Sequence, residues 1–399
     1  MTASTRENKI TELLDRGVER VYPTRDFLKN LLTGAKKLTV YLGIDPSGPA
    51  LHLGHAIPLM KLHQLQELGH KVILLIGDFT AVSGDPDKTE VRTRLTRERI
   101  LANCRSYRKQ AGKLLKFTGP NAAEYRFNST WLSKLTFADV IDLASKSTVQ
   151  RMLERDLFER RMKSGKPLYQ HEFLYPLMQG YDGVAMNVDG EVGGNDQTFN
   201  MLTGRDLMKQ YKNREKFVLT MKLLEDPTGK KMGKTEGNMV TLTDSPKEMF
   251  GKIMSWTDGM IAPGFELLTD LPITEIKERE KMMKEGSLNP RDAKAELARR
   301  VVAVFHTEQK ARHAEAEFVK QFTKKEVPSD IPTISARSTT LPDLLVKSRL
   351  VSSKSEAQRL MEQGAVKVNG EKVSDWKRLY TFSSGDVVQV GKRKFVKIV

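Results

Sequence analysis

One cysteine, Cys104, stands in a chain of 399 residues, so no disulfide can form within it and no cysteine-built zinc cluster is available. The expected setting is reducing, as in the cytoplasm. Long apolar runs are also missing. Residues 72–76 make only a short one, far below the ~18 consecutive apolar residues that suggest a membrane-spanning helix. The first residues, Met1-Thr-Ala-Ser-Thr-Arg-Glu, lack the apolar core of a secretory leader, so neither export nor a membrane partner is expected. Acidic charge is in short supply: 50 Asp and Glu face 66 Lys and Arg, leaving a formal +16 and a pI near 9.6. That excess suits a polyanionic partner, and a generally basic soluble protein would show the same balance. With 39% hydrophobic residues the chain can bury cores, and its length predicts two or three domains.

What is present begins with an apolar strand over residues 38–44, followed by Asp45-Pro-Ser47 and then His52-Leu-Gly54-His55. Ile57, Leu59, Met60, Leu62, Leu65 and Leu68 recur at helical spacing until Gly69 stops the pattern, which puts both histidines on a first helical turn. A helix N-terminus offers unpaired N–H groups and partial positive charge, a fit for phosphate, and Gly54 permits close approach. His52 and His55 are then placed to donate hydrogen bonds to a phosphate whose charge grows during reaction. Alone, the four residues fit a capped surface helix equally well. Residues 224–238 form a second feature: Gly229-Lys-Lys231-Met-Gly233-Lys234-Thr235 is rich in Gly and Lys, lacks hydrophobic periodicity, and reads as a mobile lid. Lys231 and Lys234 would hold a departing pyrophosphate and Thr235 would add a hydroxyl. Tyr175, Gln179 and Asp182, spaced i, i+4 and i+7, share one face if helical, whether as ligands or as a polar surface. The strand at 72–76 completes a βαβ unit, a charged helical stretch is expected over 88–116, and a doubly wound parallel sheet is predicted. Such a sheet binds ligands beyond its carboxyl ends, where residues 41–47, Asp85 and residues 193–197 would lie.

Together, His52-Leu-Gly-His55 and Lys231-Met-Gly-Lys-Thr235 resemble the two signature motifs of class I aminoacyl-tRNA synthetases. Tyr41-Leu-Gly-Ile-Asp45-Pro-Ser47, Gly84-Asp85-Pro-Asp-Lys, Tyr175-Pro-Leu-Met-Gln179-Gly-Tyr-Asp182 and Gly193-Gly-Asn-Asp196-Gln197 are similar, in order and spacing, to the bacterial-type tyrosyl-tRNA synthetase family. The resemblance implies a Rossmann-like catalytic domain over 1–240. It implies that Tyr41 and Asp182 hold a substrate phenol, that Tyr175, Gln179 and Asp85 surround its ammonium, and that Gln197 contacts the amino acid. Asp45, Ser47, Gly54, His55, Gly193, Asp196 and Lys234 would line the ATP side. Gly233 departs from the family's serine, removing a hydroxyl while both lysines remain.

By the same resemblance, an insertion at about 118–166 forms a homodimer interface and residues 241–327 a helical anticodon-binding domain. Asn289 and Pro290 fit a helix start within that block. Arg151, Arg155, Arg160, Arg161 and Lys163 fit either a solvated face or contact with a tRNA acceptor arm. Residues 328–339, with two prolines and small polar residues, read as a linker. Residues 340–399 resemble an S4 RNA-binding domain: two short helices leave Lys347, Lys354 and Arg359 available, and Asn369-Gly370 predicts a hairpin turn. From residue 341 onward, 12 Lys or Arg against 6 Asp or Glu give +6, so RNA binding should weaken with salt. Trp376 either stacks on a base or is buried.

The implied reaction is ATP-dependent activation of tyrosine, with Mg²⁺ accompanying ATP, then transfer to the terminal ribose of tRNA(Tyr). A tryptophan-specific enzyme shares both signatures but does not need the Tyr41/Asp182 pair. A non-catalytic RNA-binding descendant would be favoured only by Gly233.

Overall fold

Apolar and β-branched runs become a six-stranded sheet made of β1 (Val18–Tyr22), β2 (Thr39–Ile44), β3 (Lys71–Ile76), β4 (Glu124–Phe127), β5 (Gly190–Gly194) and β6 (Phe217–Met221). The computed structural model describes residues 3–85, 95–226, 228–229, 239–322, 331–391 and 394–399. It divides into two compact units, Met1–Arg312 and His313–Val399, and the sheet belongs to the first. Its order is β1-β6-β5-β2-β3-β4; all neighbours are parallel except the edge strand β1, which runs antiparallel to β6. β3 and β6 are buried almost throughout, as strands with both faces covered must be, whereas β1 exposes Glu19 and Arg20, charges suited to an edge.

The order determines where a ligand can sit. The chain proceeds from β2 outward through β3 to β4, and β5 and β6 lie on the other side, so the direction switches between β2 and β5. The carboxyl ends of those two strands flank the crevice in which open sheets bind ligands. Between β2 and β3 runs the helix Leu53–Glu67, and Gly69, at φ +91°, turns the chain away from it as its position predicts. The charged stretch expected as one helix is, in its described part, two short ones, Arg97–Cys104 and Tyr107–Ala111. Side chains there turn inward to hold a loop instead of continuing along a solvated face.

The stretch expected at 118–166 as a helical insertion begins with β4, a strand of the central sheet, because its alternating Tyr125 and Phe127 pair with β3. The remainder is helical, as Ser129–Leu132, Phe137–Ser145, Val149–Leu153 and Asp156–Lys163, with Thr136 and Thr148 capping the second and third. Its basic residues divide. Arg160 and Lys163 are solvated, while Arg155 and Arg161 are buried, because carboxylates inside the fold receive them. Arg161 donates twice to Glu172, at 2.6 and 3.1 Å. Further on, the helices Pro246–Met254, Ile261–Leu268, Ile273–Lys284, Pro290–Phe305 and Glu308–Phe322 occupy the block expected to be helical. Asn289 caps its helix by accepting from the Arg291 N–H at 2.9 Å.

In the second unit, helices Leu341–Lys347 and Lys354–Glu362 pack on a five-stranded sheet around Leu344, Leu345, Met361, Val388 and Val396. Asn369 and Gly370, at φ +51° and +88°, form the tight turn between Val366–Val368 and Glu371–Lys372. Part of the stretch read as a linker is strand: Thr333–Ile334 pairs with Lys394–Ile398, and Ser338–Thr340 with Leu379–Thr381. Short β-branched segments there complete backbone pairing that a linker would leave to water. Lys347, Lys354 and Arg359 are exposed, with Lys354 paired to Asp343 at 2.6 Å. Trp376 is half-buried against this core with the Lys377 ammonium 5.0 Å from its ring.

Removing one partner of a buried ion pair strands the other charge, a cost of about 3–5 kcal/mol. Arg161→Ala is therefore expected to lower unfolding free energy by that amount in a denaturant titration, while Arg160→Ala on the solvated face changes it by less than about 0.5 kcal/mol.

Candidate active site

At the end of β2 the chain enters a loop whose backbone is held from one side. Asn103 Nδ2 donates to the Pro46 carbonyl at 2.8 Å, Tyr107 Oη to Gly48 at 2.6 Å and Gln110 Nε2 to Pro49 at 2.9 Å. Gln110 Oε1 accepts from the Leu51 N–H at 2.7 Å. Ser47 is left exposed on this loop. The next residue, His52, caps the helix Leu53–Glu67: its Nδ1 accepts from the Gly54 N–H at 3.1 Å, and His55 Nδ1 accepts from the His52 N–H at 3.2 Å. Because both Nδ1 atoms accept, each neutral ring carries its proton on Nε2, which is free to donate. Burial lowers both pKa values, and His52 lowers that of His55 further, so neutral rings prevail near pH 7. A Cβ on Gly54 would come within 2.9 Å of the His52 ring, so the glycine keeps these imidazoles, 3.9 Å apart and tilted by 36°, in place. Residues 240–242 are tied back to this start: Leu53 N–H donates to Val240 at 3.0 Å and Leu242 N–H to Leu51 at 2.8 Å.

Deeper in the crevice a chain of polar side chains begins at Tyr175. Its hydroxyl donates to Asp45 Oδ2 at 2.8 Å, and Asp45 Oδ1 accepts from Thr80 at 2.8 Å. Asn128 Nδ2 reaches Thr80 at 3.0 Å and Asp182 Oδ2 at 3.2 Å, and Trp131 Nε1 donates to Asp182 Oδ1 at 2.7 Å. Gly77 is required here, since a Cβ at that position would lie 1.9 Å from Asp45 Oδ1. Burial pushes the Asp182 pKa well above the carboxylate range, against the opposing bonds from Trp131 and Asn128. Tyr41, fully buried on β2, has its hydroxyl 3.5 Å from the Gln179 carbonyl; burial and the nearby Glu191 and Asp182 raise its pKa well, so it stays a neutral phenol.

A second chain runs along the other wall. Asp85, buried, accepts from Arg155 Nη2 at 2.7 Å and from Gln197 Nε2 at 2.9 Å. Asn200 Nδ2 bridges Gln197 and Gln179, at 3.0 Å to each, and Gln179 Nε2 donates to Glu191 at 3.0 Å. Glu191 is neutralised by Lys216 at 2.5 Å, whose ammonium, wholly buried, lies 5.7 Å from the centre of the Tyr41 ring. Burial, with Asp45 and then Asp85 nearby, raises the Tyr175 pKa well, so its hydroxyl stays protonated and donates to Asp45.

Tyr41, Asp45, Asp85, Tyr175, Gln179, Asp182 and Gln197 are thus each held in one or other of these polar groups. Gly193 lies buried at the end of β5 and Asp196 exposed in the turn that follows. Asp45, expected beside the nucleotide, has one oxygen engaged by Tyr175 and the other by Thr80. Lys231, Gly233, Lys234 and Thr235 lie outside the described residues. The sequence reading missed the supporting side chains: Asn128, Trp131, Asn200, Glu191, Lys216 and the trio Asn103, Tyr107 and Gln110. A charged Glu191 and Lys216 at apolar strands are a signal that can be read from sequence, and the i, i+4, i+7 spacing of the trio is another. Among the described residues no three His, Cys, Asp or Glu side chains gather as around a metal ion, and no helix is long and apolar enough to cross a membrane.

Comparison with known proteins agrees with this geometry. Residues 33–323 match the family of class I tRNA synthetases (W and Y), and residues 319–398 the C-terminal domain of tyrosine–tRNA ligases of the SYY-like type. The chain is 49% identical over 365 residues to the tyrosine–tRNA ligase of Thermotoga maritima, covering 91% of this chain and 90% of that protein. It is 46% identical over 393 residues to the Moorella thermoacetica ligase, covering 97% and 94%. In fold it is similar to a C-terminally truncated mitochondrial tyrosyl-tRNA synthetase from Aspergillus nidulans, with TM-score 0.66, 24% identity, and coverage of 79% of this chain and 94% of that one. A sheet whose direction switches between β2 and β5, two histidines capping a helix start and matches along nearly the whole length lead to one conclusion: the chain belongs to the tyrosyl-tRNA synthetase family of class I tRNA synthetases.

Proposed function

We propose that the two polar walls divide the family's reaction between them. The reaction itself has two steps: tyrosine and ATP give tyrosyl-adenylate and pyrophosphate, and the tyrosyl group then passes to tRNA. In our reading Tyr41 and Asp182 meet the substrate phenol, while Tyr175, Asp85 and Gln179 meet its ammonium. One observation carries this: Asp182 is buried and fixed by two donors, Asn128 and Trp131, beside a buried neutral phenol. A hydroxylated ring gives both groups a further partner that phenylalanine lacks, a difference of about 1–3 kcal/mol each.

ATP enters as its magnesium complex over the start of the helix Leu53–Glu67. The helix N-terminus and the Nε2–H groups of His52 and His55 face the charge that grows on the α-phosphate as the tyrosine carboxylate attacks. Ser47, Gly193 and Asp196 border the nucleotide, and Lys231, Lys234 and Thr235 receive the pyrophosphate. No protein nucleophile takes part; orientation supplies much of the rate.

The tRNA is held in part by the basic C-terminal unit, read as S4-like, through Lys347, Lys354 and Arg359, with the helical block as the anticodon reader. We assign the working form as a cytoplasmic homodimer. Supporting this, the insertion exposes Phe137 (81%), Ile141 (57%) and Val149 (65%), apolar side chains that an isolated subunit would leave in water.

The decisive experiment is amino-acid-dependent ATP–pyrophosphate exchange. Tyrosine is expected to support it, with phenylalanine and tryptophan weaker by about two orders of magnitude or more; preference for either of those sinks the reading. Asp182→Asn should lower kcat/KM for tyrosine by about 10–100-fold and narrow the gap to phenylalanine. Because the histidines act neutral, exchange should stay flat from about pH 8 to about 6.5 and fall below, where protonation takes away the Nδ1 acceptors. A rate that climbs on acidification through that range would mean that imidazolium is the working form. Phe137→Asp is expected to shift the sedimenting species from dimer to monomer, and a wild-type chain that sediments as a monomer would refute the assignment.

A further inference from the structure

Arg155 is a buried cation inside the proposed amino-acid pocket, and neither wall of that pocket accounts for all of it. It stands where the helix Val149–Leu153 gives way to Asp156–Lys163, only 7% exposed, with its guanidinium 5.5 Å from the centre of the Phe158 ring. Nη2 donates to Asp85 at 2.7 Å. Nη1 is buried and has no hydrogen-bond partner among the described residues. A guanidinium arm left bare in a buried position is costly, and such groups call for an acceptor.

The substrate supplies one. A free amino acid carries its ammonium and carboxylate on the same carbon, so a pocket that receives the ammonium at Asp85 brings the carboxylate close to whatever cation touches Asp85. With Asp45 and Asp85 both beside Tyr175, a pocket without Arg155 would present two negative charges to an incoming zwitterion and repel its carboxylate. We infer that Arg155 is a substrate-carboxylate ligand: Nη2 keeps Asp85 in position for the ammonium while Nη1 binds the tyrosine carboxylate. This rests on the reading of Asp85 as an ammonium site. The assignment also bears on the chemistry. As a carboxylate oxygen forms its bond to the α-phosphorus and the bond to pyrophosphate breaks, two anionic groups must meet, and a fixed guanidinium beside the nucleophile reduces their repulsion. Asp85 retains lone pairs after accepting from Arg155 and Gln197, so it can take the ammonium without releasing either partner.

The test compares L-tyrosine with L-tyrosinol, which keeps the ammonium and phenol but has an alcohol in place of the carboxylate. Equilibrium binding to the full-length chain is measured for wild type, Arg155→Met and Arg155→Lys. Met removes both arms; Lys keeps a cation for Asp85 but offers no planar second arm. For both variants L-tyrosine binding is expected to weaken by about tenfold or more, as for loss of a charge-assisted hydrogen bond. Tyrosinol affinity in Arg155→Lys should stay within about twofold of wild type, so the ratio of the two dissociation constants rises about tenfold. If tyrosine and tyrosinol weaken in parallel in Arg155→Lys, Arg155 serves Asp85 alone and the inference is overturned; unchanged binding of both overturns it too. A wild-type chain that binds neither compound defeats the amino-acid reading itself, a result distinct from either of these.

Discussion

Polar groups buried under an apolar sheet have to satisfy one another, and that requirement shapes the crevice. Asp45, Thr80, Asn128 and Asp182 are buried or nearly so, and each is hydrogen-bonded to the next, with Tyr175 and Trp131 closing the ends. On the opposite wall Asp85, Gln197, Asn200, Gln179, Glu191 and Lys216 form a comparable line that ends in an ion pair with no contact with water. Hydrogen bonds in a low-dielectric interior are strong when complete and costly when broken, so each line behaves as a unit. In the proposed reading of Tyr41 and Asp182 as the phenol site, the first line fixes the Asp182 carboxylate through Asn128 and Trp131 before any substrate enters.

Much of this was legible in the sequence, where short-range chemistry is written plainly. The step from an apolar strand to a helix opened by His52 and Gly54 is local, and it appears where its spacing put it. Gly69 and Asn369-Gly370 turn the chain as their backbone freedom predicts. Tyr175, Gln179 and Asp182 share a face because a helix imposes that geometry on residues i, i+4 and i+7.

What stayed hidden depends on contacts between distant segments. Asn128 and Trp131 follow β4, and nothing near them in sequence announces Asp182, some fifty positions on. Arg155 and Arg161 sit in a charged run indistinguishable from a solvated face until Asp85 and Glu172 are seen to receive them. The stretch before the C-terminal helices looked like a connector because its Thr333 and Ser338 segments are too short to show alternation, and only their pairing partners reveal them as strands.

For the loop from Pro46 to Leu51 the consequence of these contacts is entropic. Three of its carbonyls and one N–H are satisfied by Asn103, Tyr107 and Gln110 within the fold itself. If the nucleotide of the proposed reaction docks there, it need not freeze a wandering backbone, so little of its binding free energy is consumed in ordering the receptor. The order of this loop is built into the fold by side chains from the neighbouring helices.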